Sequence, residues 1–79
     1  MTSKMTAGVR ETMRMLEKNL IDEILIARDS DFFVTRPVIE AAEIRHIRVT
    51  YIDTKKSLGH ICGISNGAAV AGKFRQNGQ

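Results

Sequence analysis

Three basic residues stand four positions apart near the start of the chain: Arg10, Arg14 and Lys18, with Glu11 next to the first of them. On a helix this spacing places them along one face. The N-terminal end of a helix attracts phosphate through its free N–H groups and its dipole. An arginine can also donate two hydrogen bonds to guanine O6 and N7, and a glutamate can accept from guanine N–H groups. The row therefore indicates a nucleic-acid contact, and the competing interpretation is a solvated helix face.

The last third of the chain is basic. All nine acidic residues lie within the first 53 positions, whereas Lys55, Lys56, Lys73 and Arg75 come later. This asymmetry favours an anionic partner for one end of the domain, or else a solvated basic tail. Lys55 and Lys56 are candidates for phosphate contacts. The apolar Ile64 stands in a polar loop and is either a buried anchor or a residue that packs on an extruded base.

Residues that catalyse reactions or bind metals are not arranged for either task. His46 and His60 have no acid at a fixed spacing, and Cys62 reads as a buried, inert thiol. Asp29 and Asp31 are typical turn-forming aspartates. A single cysteine fits a reducing cytoplasm, and no apolar run is long enough to span a bilayer. The sequence therefore predicts a cytoplasmic, non-enzymatic protein with no cofactor, no metal, no membrane contact and no small-molecule substrate.

These residues must be positioned by alternating helices and strands. The pattern predicts four strands, at 4–7, 23–27, 48–52 and 68–74. Three helices are predicted between them. The first runs from near Gly8 to about Lys18, the second is capped by Thr35 with Pro37 in its first turn, and the third spans 55–62 between Thr54 and Gly63. Thr6 is the predicted cap of the first helix, and Asn19 the left-handed residue that ends it. The alternation predicts one α/β domain over residues 1–79, an open sheet between helices, with 1–3 and 75–79 frayed.

Three segments resemble a known family: residues 8–14, 26–31 and 55–64, the last carrying Lys-x-x-Leu-Gly-x-x-x-Gly-Ile. They are similar to the kink-turn-binding ribosomal proteins of the L7Ae/L30e group, above all to the short bacterial members. The resemblance implies a three-layer α/β/α sandwich around a mixed, roughly four-stranded sheet. It also implies binding to kink-turns, in which a bulge beside tandem sheared G·A pairs bends the RNA sharply.

The resemblance also implies which residues contact RNA: Gly8, Val9, Arg10, Glu11, Arg14, Asp31, Thr35, Lys55, Ile64, Ser65 and Asn66. The first helix enters the groove at the G·A pairs, where Gly8 allows close approach and Glu11 contacts guanine. Arg10 stands where many members have asparagine, which changes the hydrogen-bond geometry. Lys55 contacts phosphate, and the loop 64–66 holds the flipped-out nucleotide.

Two departures from the family pattern carry further expectations. Phe32 replaces the usual proline after Asp31, which is expected to shift that loop. Members usually have another helix before the first strand, so one sheet face is expected to be partly uncovered and to expose apolar surface. The partners implied are structured ribosomal or regulatory RNA and the ribosome. A protein-interaction module in translation or ribosome assembly is the alternative, and a nucleotide-binding enzyme rests on topology alone.

Overall fold

The computed structural model describes residues 4–76, which form three helices and a four-stranded sheet. The strands are β1 (Met5–Ala7), β2 (Ile21–Ala27), β3 (Arg48–Ile52) and β4 (Val70–Phe74), and the helices are α1 (Val9–Glu17), α2 (Phe32–Ile44) and α3 (Lys55–Cys62). The predicted order of elements is confirmed. Strand β2 begins two residues earlier than expected and β4 two residues later.

All three helices begin at the same edge of the sheet. The strand order is β1–β4–β2–β3, in which β2 and β3 are parallel and β4 runs antiparallel to both β1 and β2. Strands β1, β2 and β3 therefore end at one edge, where β4 begins. Because α1, α2 and α3 follow these strands directly, their N-termini gather there. We call this edge the helix-start edge.

The core lies in two layers, one on each face of the sheet. On one face, Leu16 of α1 and Val38 of α2 belong to one buried cluster with Ile24 of β2. On the other face, Leu58 of α3 packs on Leu25, the next residue of the same strand. Alternate side chains of β2 thus enter opposite layers, as a strand buried on both faces requires. The predicted three-layer α/β/α sandwich with a mixed sheet is confirmed.

Two helix caps differ from the prediction. Thr6 lies within β1, and the residue before α1 is instead Gly8. Its φ of 95° is unstrained because glycine has no side chain. Helix α2 begins before Thr35, because the Asp31 carboxylate accepts a hydrogen bond from the Phe33 N–H at 2.9 Å. Pro37 therefore lies inside the helix rather than in its first turn, and it has no N–H to donate to the preceding turn.

The other predicted helix ends are confirmed. The Thr54 hydroxyl accepts from the Ser57 N–H at 2.9 Å and caps α3, which ends at Gly63 with φ of 78°. Asn19 adopts the left-handed conformation after α1, with φ of 65°. Fraying from residue 75 onward was wrong for Arg75, whose N–H donates to the Leu20 carbonyl at 2.7 Å. Residues 1–3 and 77–79 lie outside the described residues.

The part of the α3-side face farthest from the helix-start edge is polar. Glu23 stands between Arg48 and Lys73 on the neighbouring strands. Its carboxylate accepts a hydrogen bond from the Thr50 hydroxyl at 2.5 Å and lies 3.5 Å from Lys73 Nζ. The large exposed apolar side chains of residues 4–76 lie on helices, in loops and on the opposite face. On this face the uncovered part of the sheet is therefore polar, whereas the exposed Tyr51 lies on the opposite face of β3.

The same contacts shift the titration of Glu23. The Thr50 hydrogen bond, aided by the charges of Lys73 and Arg48, holds the pKa of Glu23 below its ordinary value, against the opposing effect of burial. A lowered pKa in the folded state stabilises the fold above the carboxyl's ordinary pKa. That contribution is lost as the pH falls through the folded-state pKa.

We therefore expect Thr50→Val to lower the free energy of unfolding by about 1 kcal/mol at pH 7 and by less at pH 3, where a larger fraction of Glu23 is protonated. Urea denaturation at both pH values measures this difference. Thr35→Val is the matched control, because the Thr35 hydroxyl donates to the Phe32 carbonyl, which does not titrate. A loss for Thr50→Val that is equal at the two pH values contradicts this account of the Glu23 pKa.

Candidate functional site

Two glycines hold the loop before β4 against α3 at the helix-start edge. A Cβ at Gly59 would lie 2.4 Å from the Gly67 Cα and 2.9 Å from the Ile64 carbonyl oxygen, so no larger residue fits between them. Gly67 has φ of 88°, a conformation that glycine adopts without strain. Beside this contact the Ala68 N–H donates to the Lys55 carbonyl at 3.0 Å. The loop 64–67 is thereby fixed next to the first turn of α3.

Further hydrogen bonds connect this loop to the rest of the edge. The Asp29 carboxylate accepts from the Lys55 N–H at 2.8 Å and joins the loop after β2 to the start of α3. The Ala27 N–H donates to the Ala69 carbonyl at 2.9 Å, and the Gly8 N–H donates to the Val70 carbonyl at 2.8 Å. A continuous set of contacts therefore links the starts of α1 and α3 with the loops 28–31 and 64–69.

The three helix N-termini at this edge are not equally occupied. Asp31 caps α2 with its carboxylate, and Asp29 binds the first N–H of α3. Helix α1 is preceded by Gly8 and has no side-chain cap. Its first N–H groups and positive dipole end are therefore the ones most available to an anion.

Charged side chains surround these helix starts. Arg10, Glu11 and Arg14 are all exposed on the first turns of α1, and the Glu11 carboxylate lies 3.6 Å from the Arg14 guanidinium. Lys55 and Lys56 are exposed on the first turn of α3. Lys18, by contrast, is the C-terminal cap of α1. It lies about 15 Å along the axis from Gly8, away from the edge.

The loop 64–66 is accessible. Ile64 is 37% exposed, and Ser65 and Asn66 are exposed with it. Of the two interpretations of Ile64, the buried anchor is therefore wrong, and its apolar side chain is open to a ligand.

Two predicted contact residues do not present their side chains. Val9 packs against the core, and its side chain is partly buried. Thr35 is 3% exposed, and its hydroxyl donates to the Phe32 carbonyl at 3.4 Å. Asp31 is exposed, but its carboxylate is already engaged as the cap of α2. The side chains of these three residues are therefore engaged within the protein, where they help to hold the helix-start edge in place.

The sequence interpretation missed aromatic groups beside the same edge. Tyr51 and Phe32 are exposed, and the Arg28 guanidinium carbon lies 6.0 Å from the centre of the Tyr51 ring. Arg28 follows β2 and Tyr51 lies near the end of the parallel strand β3. Because the ends of adjacent parallel strands are expected to lie together, the sequence positions of Arg28 and Tyr51 could have indicated that the two side chains are neighbours.

The candidate catalytic groups are placed as ordinary structural residues. Cys62 is half-buried, and burial raises the pKa of its thiol, so the reactive thiolate is disfavoured. His46 occupies the turn before β3 with φ of 58°, and His60 is exposed on α3. Within residues 4–76, no three histidine, cysteine or acidic side chains gather as a metal-holding group. In the same range none of the helices has the length and apolarity needed to cross a membrane.

Comparisons with known proteins show which proteins this chain resembles. The model of the ribosomal protein L7Ae/L30e/S12e/Gadd45 family matches residues 1–79. An RNA-binding protein of Caldanaerobacter subterraneus is 37% identical over 68 residues, which are 86% of this chain and 83% of that protein. One from Geobacillus sp. WCH70 is 35% identical over 72 residues, covering 91% of this chain and 88% of the relative.

A solved structure supports the architecture. The 15.5 kD RNA-binding protein of Giardia lamblia superposes with a TM-score of 0.86 at 21% identity. The match covers 95% of this chain and 63% of that one. At this identity the likeness concerns the fold.

The close approach of Gly59 to Gly67 predicts an unusual response to mutation. Gly→Ala inside a helix normally stabilises by up to about 1 kcal/mol. We expect Gly59→Ala to lower the free energy of unfolding instead, by about 1–3 kcal/mol, because its Cβ meets backbone atoms. Denaturant titration measures the change.

The matched control is Gly63→Asn. A Cβ at Gly63 meets nothing within 4 Å, and asparagine tolerates its left-handed conformation. This variant is expected to lose no more than about 1 kcal/mol, the cost of placing a residue other than glycine in the left-handed region. If Gly59→Ala matches or exceeds the wild type in stability, the two glycines do not constrain the loop.

Proposed function

This chain belongs to the ribosomal protein L7Ae/L30e/S12e/Gadd45 family, and on that premise we propose that it binds RNA, recognises kink-turns and catalyses no reaction. The observation that carries the proposal is the convergence of three helix N-termini, exposed basic side chains and an accessible apolar loop at one edge. The relatives named RNA-binding proteins support RNA as the partner. A ribosomal or regulatory RNA in the cytoplasm is the expected target.

Helix α1 is suited to contact the tandem G·A pairs. Gly8 has open space where a side chain would stand, so a nucleic-acid backbone can approach the uncapped helix start. Arg10 can donate to the Hoogsteen edge of guanine through two hydrogen bonds. Glu11, exposed next to it, can accept from guanine N–H groups. Arg14 lies one turn further along and is placed to contact guanine or phosphate.

The start of α3 and the loop beside it are suited to the bulge. Lys55 and Lys56 add positive charge beside the N-terminus of α3, which attracts phosphate. Ile64 offers an apolar surface to a flipped-out base, and Ser65 and Asn66 offer polar groups to its edge. Because Gly59 and Gly67 fix this loop against α3, one bent RNA can meet both groups.

A protein-interaction module is the second candidate. It is favoured by Phe33 and Ile44, which are the most exposed large apolar side chains of residues 4–76. Sedimentation velocity separates the candidates, because an interaction module that associates with itself raises the sedimentation coefficient with concentration, whereas a free RNA-binding protein remains a monomer.

The proposal predicts selective binding of bent RNA. In a gel shift at fixed salt, we expect a kink-turn duplex to bind at least tenfold more tightly than its twin with Watson–Crick pairs in place of the G·A pairs. The expected discrimination follows from about 1–3 kcal/mol per specific base contact. Equal affinity for the two duplexes contradicts kink-turn recognition.

The salt dependence of binding tests which charges take part. Arg14→Ala and Lys55→Ala should each weaken kink-turn binding and reduce the slope of log K against log salt by about 0.7–0.9, if each neutralises one phosphate. Arg45→Ala removes the same charge at the C-terminal end of α2, away from the helix-start edge. The slope of log K against log salt for Arg45→Ala should match that of the wild type. Equal slopes for all three variants would show that the helix-start edge does not contact the RNA.

A further inference from the structure

A cavity of about 480 Å³ opens beside the first turn of α2, where the parallel strands β2 and β3 end together. Its lining includes the rings of Phe32 and Tyr51, the Arg28 side chain, the Ser30 side chain and apolar surface from Ile26 and Ile39. We call it the Tyr51 pocket. Its volume falls within the range of about 300–1,000 Å³ typical of small-ligand sites.

The two aromatic side chains of the pocket are exposed to solvent. Phe32 is 61% exposed and Tyr51 is 49% exposed, in a chain with only three phenylalanines and one tyrosine. The Arg28 guanidinium lies 6.0 Å from the centre of the Tyr51 ring, within the range of a cation–π contact. Exposed rings beside an arginine form the kind of surface on which nucleobases stack.

A polar group in the same pocket has no partner. The Ser30 hydroxyl oxygen is shielded from solvent, and no hydrogen-bond partner for it is found within residues 4–76. Unpaired buried hydroxyls are rare, because each loses its hydrogen bonds to water without replacement. Because the oxygen is shielded, an occupant with a donor or acceptor on its edge can pair with this hydroxyl only after the Ser30 side chain rotates toward the pocket.

The pocket adjoins the contact surface proposed above and shares with it one lining residue, the buried Thr35. It lies over the edge strand β3 on the side of α2 that faces away from α1, because α1 packs on β1 and β4 whereas α2 packs on β2 and β3. Arg28, Phe32 and Tyr51 are absent from the residues that the family resemblance implies. The pocket nevertheless opens at the helix-start edge, next to the Asp31 loop, so an RNA held there passes close to its mouth.

We propose that the Tyr51 pocket holds an unpaired nucleobase from a single-stranded segment flanking the bent duplex. The inference rests on the proposed RNA-binding function and adds a second contact to it. The base stacks on the exposed rings, and Arg28 stabilises the stack and the neighbouring phosphate. Rotation of the Ser30 side chain toward the pocket adds a hydrogen bond to the edge of the base. The protein would then read a kink-turn together with the strand that leaves it.

Paired RNAs and paired ring deletions test the proposal. One kink-turn duplex is blunt, and two others carry a five-nucleotide single-stranded tail on one strand or the other. We expect Tyr51→Ala and Phe32→Ala to weaken binding of at least one tailed RNA by about tenfold, the usual effect of losing one stacking ring, without changing the blunt duplex. Tyr51→Phe keeps the ring and should bind as the wild type does.

Phe33→Ala is the matched control. Phe33 is 80% exposed, adjoins Phe32 in sequence and is outside the lining of the pocket. Its loss should leave both kinds of RNA bound equally well. If the wild type binds the blunt kink-turn but all ring variants bind the tailed RNAs with wild-type affinity, the pocket proposal is overturned and the proposed function stands.

A titration independent of kink-turns covers the remaining case. Adenosine and uridine monophosphates are added to the wild type while amide and ring resonances are followed by NMR. Shifts centred on Ser30, Phe32 and Tyr51, lost in Tyr51→Ala and kept in Phe33→Ala, support a nucleobase site even if kink-turns fail to bind. No shifts at these residues, or mononucleotide binding with no gain from either tail, overturn the assignment to a flanking RNA strand.

Discussion

The contact between Gly59 and Gly67 is the constraint on which the functional edge depends. The loop before β4 can lie directly on α3 because Gly59 carries no side chain and Gly67 adopts a φ of 88° without strain. That contact brings the Ala68 N–H to the Lys55 carbonyl and leaves Ile64 exposed at the surface. From there the hydrogen bonds of Asp29, Ala27 and Gly8 extend the same edge to α1. The positions of the proposed RNA contacts follow from close packing rather than from the charged residues themselves.

Topology and electrostatics act together at this edge. Placing the starts of three helices side by side gathers three positive dipole ends, which repel one another. Two of them are offset by carboxylates, Asp31 on α2 and Asp29 on α3. Helix α1 has only Gly8 in front of it, so its positive end is left for an anion. Asp31, an expected RNA contact, and Asp29, an expected turn residue, thus both bind helix N–H groups, and α1 is left as the helix start most open to an anion.

Much of the fold could be predicted from the sequence, because the spacing of buried apolar residues distinguishes helices from strands. The row of Val9, Met13 and Leu16 predicts α1, and the run 23–27 predicts a strand buried on both faces. The caps of α1 and α2 were misassigned because threonine competes with glycine and aspartate for the same role, and the backbone decides between them. The exposure of Tyr51 and Phe32 was not predictable, because apolar side chains are usually buried. How far the helices cover the sheet is known only from the packed structure. The polar cluster around Glu23 likewise required the strand register.

The central claim is that one edge of the sheet binds a kink-turn as a unit. Amide chemical-shift mapping tests it most directly, with the isotope-labelled protein titrated by a kink-turn duplex. The account predicts that the amides of Val9 to Glu11, of Lys55 and of the 64–66 loop shift together at the same RNA concentration. Shifts confined to the outer faces of the helices, or to the polar sheet face around Glu23, would contradict it.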